Sequence, residues 1–391
     1  MKIISMTNLN DFKINGKITG RLSFDVFPLF AAFPELEKNI DKLNLGNFPT
    51  PIQRVKNFEN SIRSYAKIYV KRDDLSSSIY GGNKVRKLEF TIADILNKKK
   101  KTVITGGGLG SHMTLAVSAF GKKYNLDTTV LLFSQYLNEH VKRNLLLNKY
   151  FGAKMKYCKN YTDFAFGFIK EYLAKLIKHG EAPYIVMPGN SSPLGNLGYV
   201  NAAFEIKKQF HEEQIKEPDF VFVPVGSCGT MAGLLVGFKL TGMKSQIIGV
   251  RVTDKFVANE RAVAKLANRT IKFISEKSSI PIKMEFKAKD IIIFHDYIGK
   301  AYGSPTQESQ DVAEILKITE GIELDPTYTS KAFAGLFSFA KLPENKGKNI
   351  LFINTYNSRN LIREAQSVNY KDLPKEFHQF FENNSDTTLI I

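Results

Sequence analysis

Apolar residues follow two alternating patterns along most of this 391-residue chain. Short runs rich in β-branched and aromatic residues, such as 102–105, 128–133 and 220–225, predict buried strands. Longer stretches in which apolar residues recur every three or four positions, as over 162–178 and 307–320, predict helices. Strands that alternate with helices are typical of a parallel sheet with helices on both faces. The pattern therefore predicts an α/β protein that binds ligands at the carboxyl ends of its strands.

Two stretches, residues 1–20 and 291–306, show neither pattern and are predicted to be irregular. A strand at 68–72 leads into Gly81-Gly82-Asn83, and a helix is predicted to begin near Lys84. Asn83 is a favourable N-cap, so Lys84 falls in the first helical turn. Arg86 and Lys87 add positive charge there, which is expected to lower the pKa of Lys84 and make its amine nucleophilic. The alternative for this lysine alone is an ordinary basic helix start that reaches into water.

The composition narrows the classes of function. Hydrophobic residues make up 43% of the chain, which is enough for a large core. The net charge of +17 at pH 7 is compatible with a nucleic-acid or membrane partner, but the basic residues are spread along the chain. We therefore expect a solvated basic surface, with neither a nucleic-acid partner nor a membrane partner. The only cysteines, Cys158 and Cys228, suit a reducing compartment, and we expect a cytoplasmic protein without a signal peptide.

Two glycine-rich loops and two tyrosines are candidates for chemistry. Gly226–Thr230 joins a predicted strand to a predicted helix and could cradle a single phosphate, although it could equally be a tight turn. Gly106–Ser111 could hold a carboxylate, but turn formation is the preferred interpretation. Tyr302 and Tyr328 are candidate acid–base groups, against the alternative of packing residues. The six histidines show no metal-ligand spacing, so no metal site is expected.

The order of these motifs resembles the 1-aminocyclopropane-1-carboxylate deaminase/D-cysteine desulfhydrase family of fold type II pyridoxal-phosphate enzymes. The resemblance runs from about Pro28 to Leu361 and is most specific at Gly82-Asn83-Lys84-Val85-Arg86-Lys87-Leu88-Glu89. It implies two parallel-sheet domains with pyridoxal 5'-phosphate in the cleft between them. We predict a large cofactor-binding domain from 1–88 and 201–391, and a small inserted domain from 89–200.

The resemblance also implies roles for individual residues. The lysine that carries the cofactor is Lys84, and Gly226–Gly233 is similar to the phosphate loop. The implied catalytic residues are Lys84, Tyr328, Tyr302 and Ser111, and the implied cofactor-binding residues are Lys84, Asn83, His112, Gly226, Ser227, Cys228, Gly229, Thr230, Thr329 and Thr355. Ser111 is expected to contact the substrate carboxylate, and Thr355 to lie near the pyridine nitrogen.

The chain departs from the family pattern at several of these positions. His112 replaces an asparagine beside the cofactor's phenolic oxygen, and Cys228 replaces a phosphate-loop glycine. If position 228 needs a positive φ, Cys228 carries a strain of about 1 kcal/mol. Thr329 stands where cyclopropane deaminases have a glutamate. With hydroxyls at 329 and 355, the ring nitrogen is expected to stay mostly neutral, which favours elimination of a good leaving group.

These observations lead to one main hypothesis and two alternatives. The leading function is a D-cysteine desulfhydrase-like β-elimination that gives a keto acid, ammonia and the leaving group. The enzyme alternative is deamination of 1-aminocyclopropane-1-carboxylate. The non-enzyme alternative is a binding protein that kept the scaffold and lost activity. The expected partners are a small amino-acid substrate and a second copy of the chain in a homodimer.

Overall fold

Two separate sheets organise the chain, and most of their strands are parallel. The computed structural model describes residues 27–382, together with the two short strands Asp11–Ile14 and Lys17–Arg21. The strands are β1 (Asp11–Ile14), β2 (Lys17–Arg21), β3 (Ile52–Arg54), β4 (Lys67–Lys71), β5 (Thr102–Gly108), β6 (Asp127–Phe133), β7 (Lys154–Cys158), β8 (Tyr184–Ile185), β9 (Phe220–Val225), β10 (Gln246–Arg251), β11 (Ile292–Phe294) and β12 (Asn349–Ile353).

The helices follow the strands in regular alternation over most of the chain. They are α1 (Pro28–Ala32), α2 (Pro34–Asn39), α3 (Lys56–Ser61), α4 (Asn83–Asn97), α5 (His112–Lys123), α6 (Glu139–Tyr150), α7 (Tyr161–His179), α8 (Pro193–Glu212), α9 (Gly229–Thr241), α10 (Glu260–Ser278), α11 (Gln307–Glu320), α12 (Thr329–Ala340), α13 (Ile362–Gln366) and α14 (Gln379–Glu382). Among the described residues, none of these helices has both the length and the apolar character needed to cross a bilayer.

The larger sheet has the strand order β11-β10-β9-β12-β4-β3, in which only β3 is antiparallel to its neighbour. The smaller sheet has the order β7-β6-β5-β8 and is wholly parallel. Its strands all fall between residues 102 and 185. The predicted α/β architecture with two largely parallel sheets is confirmed.

Both faces of the larger sheet are buried, which explains why its central strand is a continuous apolar run. Side chains alternate along a strand, so Val221 and Val223 of β9 face the core formed with α8, α9 and α10. Phe222 points to the opposite core, where it packs with residues of α11 and α12. A strand with two buried faces has no polar face, and its sequence is therefore uniformly hydrophobic.

The two sheets suggest a refined version of the predicted domain division. Helix α8 begins at Pro193 and contributes Leu197, Val200 and Phe204 to the core of the larger sheet. The segment that contains Leu373 and Phe377 instead lies on the smaller sheet, where both side chains pack with side chains of β6. We therefore propose that the small domain ends before α8 and includes the segment after residue 360.

Three segments differ from the sequence predictions. Strands β1 and β2 pair in antiparallel fashion within the region predicted to be irregular. Strand β11 lies inside 291–306, where its three residues gave too short a pattern to detect. Strand β5 continues through Gly106–Gly108, which had been assigned to a loop. Neighbouring backbone leaves no room for a side chain in this part of the strand: a Cβ on Gly106 would lie 2.7 Å from the Leu131 carbonyl oxygen.

Candidate active site

A cavity of about 280 Å³ opens between the two sheets, at the carboxyl ends of β5, β9 and β12. Twelve of the residues proposed for the site line it. They are Asn83, Lys84, Ser111, His112, Gly226, Ser227, Cys228, Gly229, Thr230, Tyr302, Tyr328 and Thr355. Thr329 is the exception, because it is fully buried and does not line the cavity. The structure therefore brings together residues that are separated by more than 270 positions in the chain.

Lys84 reaches the cavity from the first turn of α4. The preceding Gly82 has a φ of +85°, and a Cβ there would lie 2.7 Å from the carbonyl oxygens of both Thr355 and Tyr356. Only glycine suits this position, which brings the start of α4 close to the end of β12. Within the described part of the chain, the Lys84 amine has no hydrogen-bond partner, so it is free to react.

The pKa of Lys84 is lowered to about 8, chiefly because burial disfavours the charged amine, while Asp325 partly opposes this. The sequence analysis attributed the lowered pKa to Arg86 and Lys87, but neither residue is among its causes. The Arg86 guanidinium points away from the cavity and forms ion pairs with Asp73 and Glu205. Residues two positions apart on a helix lie on different faces, which explains the separation.

Asn83 does not cap α4, contrary to the sequence prediction. The helix begins at Asn83 itself, and Gly82 occupies the N-cap position without a side-chain cap. The Asn83 side-chain amide instead donates to Thr230 Oγ1 at 3.0 Å. This bond ties the start of α4 to the loop between β9 and α9.

The loop Gly226–Thr230 has the features of an anion cradle. It lies at the start of α9, a thirteen-residue helix whose N-terminal N–H groups carry partial positive charge. Cys228 has a φ of +66°, so the predicted strain of about 1 kcal/mol applies at this position. The loop also contacts the small sheet's side of the cavity, because Ser191 Oγ donates to Ser227 Oγ at 2.8 Å.

Lys87 lies beside this loop, a position that sequence reasoning had not predicted. A Cβ on Gly229 would lie 2.6 Å from Lys87 Nζ, and the amine donates to the Gly189 carbonyl at 3.1 Å. Burial and the nearby Lys84 hold the pKa of Lys87 well below its usual range. No carboxylate of the described residues forms an ion pair with it, so a phosphate in the loop would supply the missing counter-charge. The helical spacing of Lys84 and Lys87 was the available signal.

Tyr302 and Tyr328 form a hydrogen-bonded pair of hydroxyls on the cavity wall. Burial raises the pKa of Tyr302 to about 12, although its bond to Tyr328 opposes the rise. Burial and Tyr302 together raise the pKa of Tyr328 well above 10. Both hydroxyls are therefore protonated at neutral pH, and one of them can donate into the cavity.

Asp325 is the one acidic residue among the described side chains that line the cavity, and sequence reasoning missed it. Its Oδ1 accepts from Thr329 N at 3.1 Å and from Thr329 Oγ1 at 2.7 Å. Its Oδ2 accepts from the backbone N–H groups of Thr327 at 3.0 Å and Tyr328 at 2.7 Å. Thr329, predicted to contact the cofactor, lies behind this carboxylate and orients it. The position of Asp325 three residues before Tyr328 was the only sequence signal.

Ser111 and His112 mark the start of α5 at the small-domain side of the cavity. Ser111 is the N-cap, and its Oγ accepts from Thr114 N at 3.4 Å. His112 Nδ1 lies 2.7 Å from Tyr80 Oη, and its Nε2 lies 3.2 Å from His140 Nε2. Burial lowers the pKa of His112 to about 4, so its imidazole is neutral at pH 7.

The chain is similar to a known enzyme family and to two kinds of named relatives. Residues 43–355 match the family described as "Pyridoxal-phosphate dependent enzyme". The chain is 35% identical to a "Putative 1-aminocyclopropane-1-carboxylate deaminase" of Pyrococcus furiosus, over 84% of this chain and 93% of the relative. It is 32% identical to a "D-cysteine desulfhydrase" of Klebsiella pneumoniae, over 80% of this chain and 93% of the relative.

A solved structure described as an ACC deaminase homologue is similar as well. Its TM-score is 0.70 at 31% identity, and the match covers 85% of this chain and 97% of that structure. The chain belongs to the pyridoxal-phosphate-dependent enzyme family. The family and the cofactor predicted from the sequence are therefore confirmed. Pyridoxal phosphate suits the residues present. Lys87, which has no carboxylate partner among the described residues, and the N-terminus of α9 can bind its phosphate, and Lys84 has a free amine.

We predict that Lys84 carries the cofactor. Borohydride reduction of the holoenzyme followed by peptide mapping should find the pyridoxyl group on Lys84. Only a neutral amine attacks the cofactor's aldehyde, so capture by apoenzyme should speed up as pH rises, with a midpoint near the Lys84 pKa of about 8. A label on Lys87, or a midpoint near the 10.5 of a free lysine, would contradict this assignment.

Thr230→Val should weaken cofactor retention by roughly tenfold or more, because a lost charge-assisted hydrogen bond costs about 1.5–3 kcal/mol. Fluorescence titration of apoenzyme with pyridoxal phosphate measures the effect. Part of the loss could come from Asn83, whose amide also loses its acceptor. Asn83→Ala is therefore the matched control, since it breaks that bond and keeps the hydroxyl of Thr230. Equal affinities for Thr230→Val and wild type would show that the loop is only a turn.

Proposed function

We propose that this enzyme catalyses β-elimination from a small amino acid, as the name D-cysteine desulfhydrase describes for one of its relatives. With D-cysteine, the reaction converts the substrate and water into pyruvate, ammonia and hydrogen sulfide. The bond to sulfur breaks, and the thiolate leaves with the bonding electron pair. The bound cofactor supplies the electron sink for cleavage at the substrate's α-carbon.

The number of hydrogen bonds that the Asp325 carboxylate accepts is the observation that carries this proposal. An ionised carboxylate has about four acceptor positions, and Asp325 already accepts four hydrogen bonds. It has little remaining capacity to hold a proton on the cofactor's ring nitrogen, which the family resemblance places near Thr355. A mostly neutral ring is a weaker electron sink, and it suits a substrate with a good leaving group such as a thiolate.

The other side chains have roles that match an elimination. Lys84, whose pKa is lowered, would accept the proton from the substrate's α-carbon when its amine is free. The Tyr302–Tyr328 pair keeps a neutral O–H at the cavity wall, where it can protonate a departing group. The N-terminus of α5, capped by Ser111, can hold the substrate carboxylate.

The enzyme alternative is deamination of 1-aminocyclopropane-1-carboxylate. The Pyrococcus furiosus relative with that name is slightly more similar to this chain than the desulfhydrase is. Asp325 also lines the cavity, and an aminocyclopropane substrate would require it to exchange one of its four hydrogen bonds for a bond to the ring nitrogen. The third hypothesis, a binding protein, predicts purified protein that turns over neither substrate.

We predict that wild type forms pyruvate from D-cysteine faster than it forms 2-oxobutanoate from 1-aminocyclopropane-1-carboxylate. Thr329→Ala should reduce the difference between these two rates, because it removes the hydroxyl that donates to Asp325 Oδ1 and leaves that acceptor free. Thr327→Ala is the matched control, since Thr327 donates to Asp325 only through its backbone. Keto-acid release from each substrate is measured for all three proteins. A wild-type preference for the cyclopropane would refute the proposal, and equal effects of the two variants would refute the role of Thr329.

We also propose a cytoplasmic homodimer. Both cysteines are free thiols, as expected in a reducing compartment. Helix α7 exposes an apolar row of Phe166, Ile169 and Ile177, which are 67%, 57% and 83% accessible, and a second copy of the chain could cover such a row. Sedimentation of the pure holoenzyme as a monomer at micromolar concentration would contradict the dimer.

A further inference from the structure

His112 lines two cavities. The first is the cofactor cavity described above, and the second is a cavity of about 400 Å³ that we call the His140 cavity. Tyr80, His140, Arg143, Tyr356 and Arg359 also line it. Its described lining includes none of residues 226–230, so it is separate from the phosphate loop. One imidazole ring therefore belongs to the walls of both cavities.

Helix α6 builds the polar wall of the His140 cavity. His140, Arg143 and Asn144 occur at a spacing of three and four residues, so they share one helical face. Arg143 Nη2 lies 2.9 Å from His140 Nδ1, and Asn144 Nδ2 donates to the Gly110 carbonyl at 3.0 Å. The wall is thus held against the loop that leads into His112.

The arginine determines the direction of hydrogen bonding toward the active site. A guanidinium only donates, so His140 Nδ1 must accept and its proton must lie on Nε2. His140 Nε2 then donates to His112 Nε2 at 3.2 Å. This leaves the His112 proton on Nδ1, which donates to Tyr80 Oη at 2.7 Å. With this assignment Asn144 Nδ2 and His140 Nε2, 3.3 Å apart, both carry protons, so the Asn144 amide bonds the Gly110 carbonyl and not His140.

The cavity has an excess of positive charge. Neither Arg143 nor Arg359 forms an ion pair with any carboxylate among the described residues. Glu323 is the acidic member of the described lining, and it already pairs with Lys317 at 3.1 Å. Neither guanidinium has a counter-ion among the described carboxylates, and that of Arg143 is half-buried, which favours an anion in this cavity.

We propose that the His140 cavity binds a small oxyanion, a carboxylate or a phosphate, between Arg143 and Arg359, and that His112 transmits its presence to the active site. The planar guanidinium matches the geometry of both oxyanions. An anion beside Arg143 weakens the positive field at His140 and His112. The centroid of the His112 ring lies 5.8 Å from that of Tyr328, so this change in the electric field extends to Tyr328 on the wall of the cofactor cavity.

The test measures binding of inorganic phosphate and, separately, of acetate to the holoenzyme by calorimetry at constant ionic strength. The holoenzyme is used because its phosphate loop is already filled. We expect saturable binding at one site per chain, weakened at least about tenfold by Arg143→Gln. Arg363→Gln is the matched control, since this exposed residue of α13 carries the same charge four positions from Arg359 and does not line the cavity. The two anions distinguish a phosphate ligand from a carboxylate ligand.

Arg359→Gln provides a second variant, because this exposed side chain can be replaced even if Arg143→Gln does not fold. The effect of the bound anion on His112 is measured from the imidazole NMR signals of the holoenzyme. The signals of His112 and His140 should shift on saturation, while that of His295, which pairs with Glu260, should not. Absence of saturable binding, or equal weakening by Arg363→Gln, would overturn the site. Unchanged His112 signals at saturation would overturn the transmission. None of these readouts requires turnover, so they are independent of the proposed reaction.

Discussion

A buried network of charges around Arg86 fixes the position of the helix that carries Lys84. The Arg86 guanidinium binds Asp73 through two nitrogens, at 2.7 and 2.9 Å, and binds Glu205 at 2.8 Å. Burial alone would raise the pKa of Glu205, but Arg86 and Lys71 outweigh it and lower that pKa to about 2. The network joins the end of β4, the start of α4 and the middle of α8. Removal of one partner would leave an unpaired buried charge, which typically costs about 3–5 kcal/mol, so α4 has few alternative positions.

The cofactor cavity shows the opposite electrostatic situation. Lys84 and Lys87 are one helical turn apart and both have lowered pKa values because they are buried without adequate counter-charge. The carboxylates of the Arg86 network are paired with the cations of that network, so they are not available to pair with these two amines. Both amines are therefore buried and lack counter-charge. An anionic ligand that carries an aldehyde can supply that charge and react with one of the amines. We propose that this lack of counter-charge favours both binding of the phosphate and reaction of the Lys84 amine.

Much of the fold could be predicted from the sequence, because helical and strand periodicity are local properties. Helix α11 and strand β9 begin and end where the pattern placed them. The site residues were harder, since their roles depend on contacts between distant segments. Asn83 looked like an N-cap, yet its amide contacts Thr230, 147 positions away. The lowered pKa of Lys84 was expected, but burial is its main cause, and burial cannot be read from neighbouring residues.

The case of Asp325 shows why residue identity alone does not determine chemistry at this site. The sequence argument looked for a carboxylate at position 329 and found a threonine. The structure places a carboxylate on the cavity wall after all, four positions earlier, and the same threonine occupies one of its acceptor sites. What matters for the cofactor's ring is the hydrogen-bonding capacity that remains free, and backbone N–H groups of residues 327–329 use most of it. We therefore propose that Thr329 acts on the reaction indirectly, through the carboxylate that it holds in place.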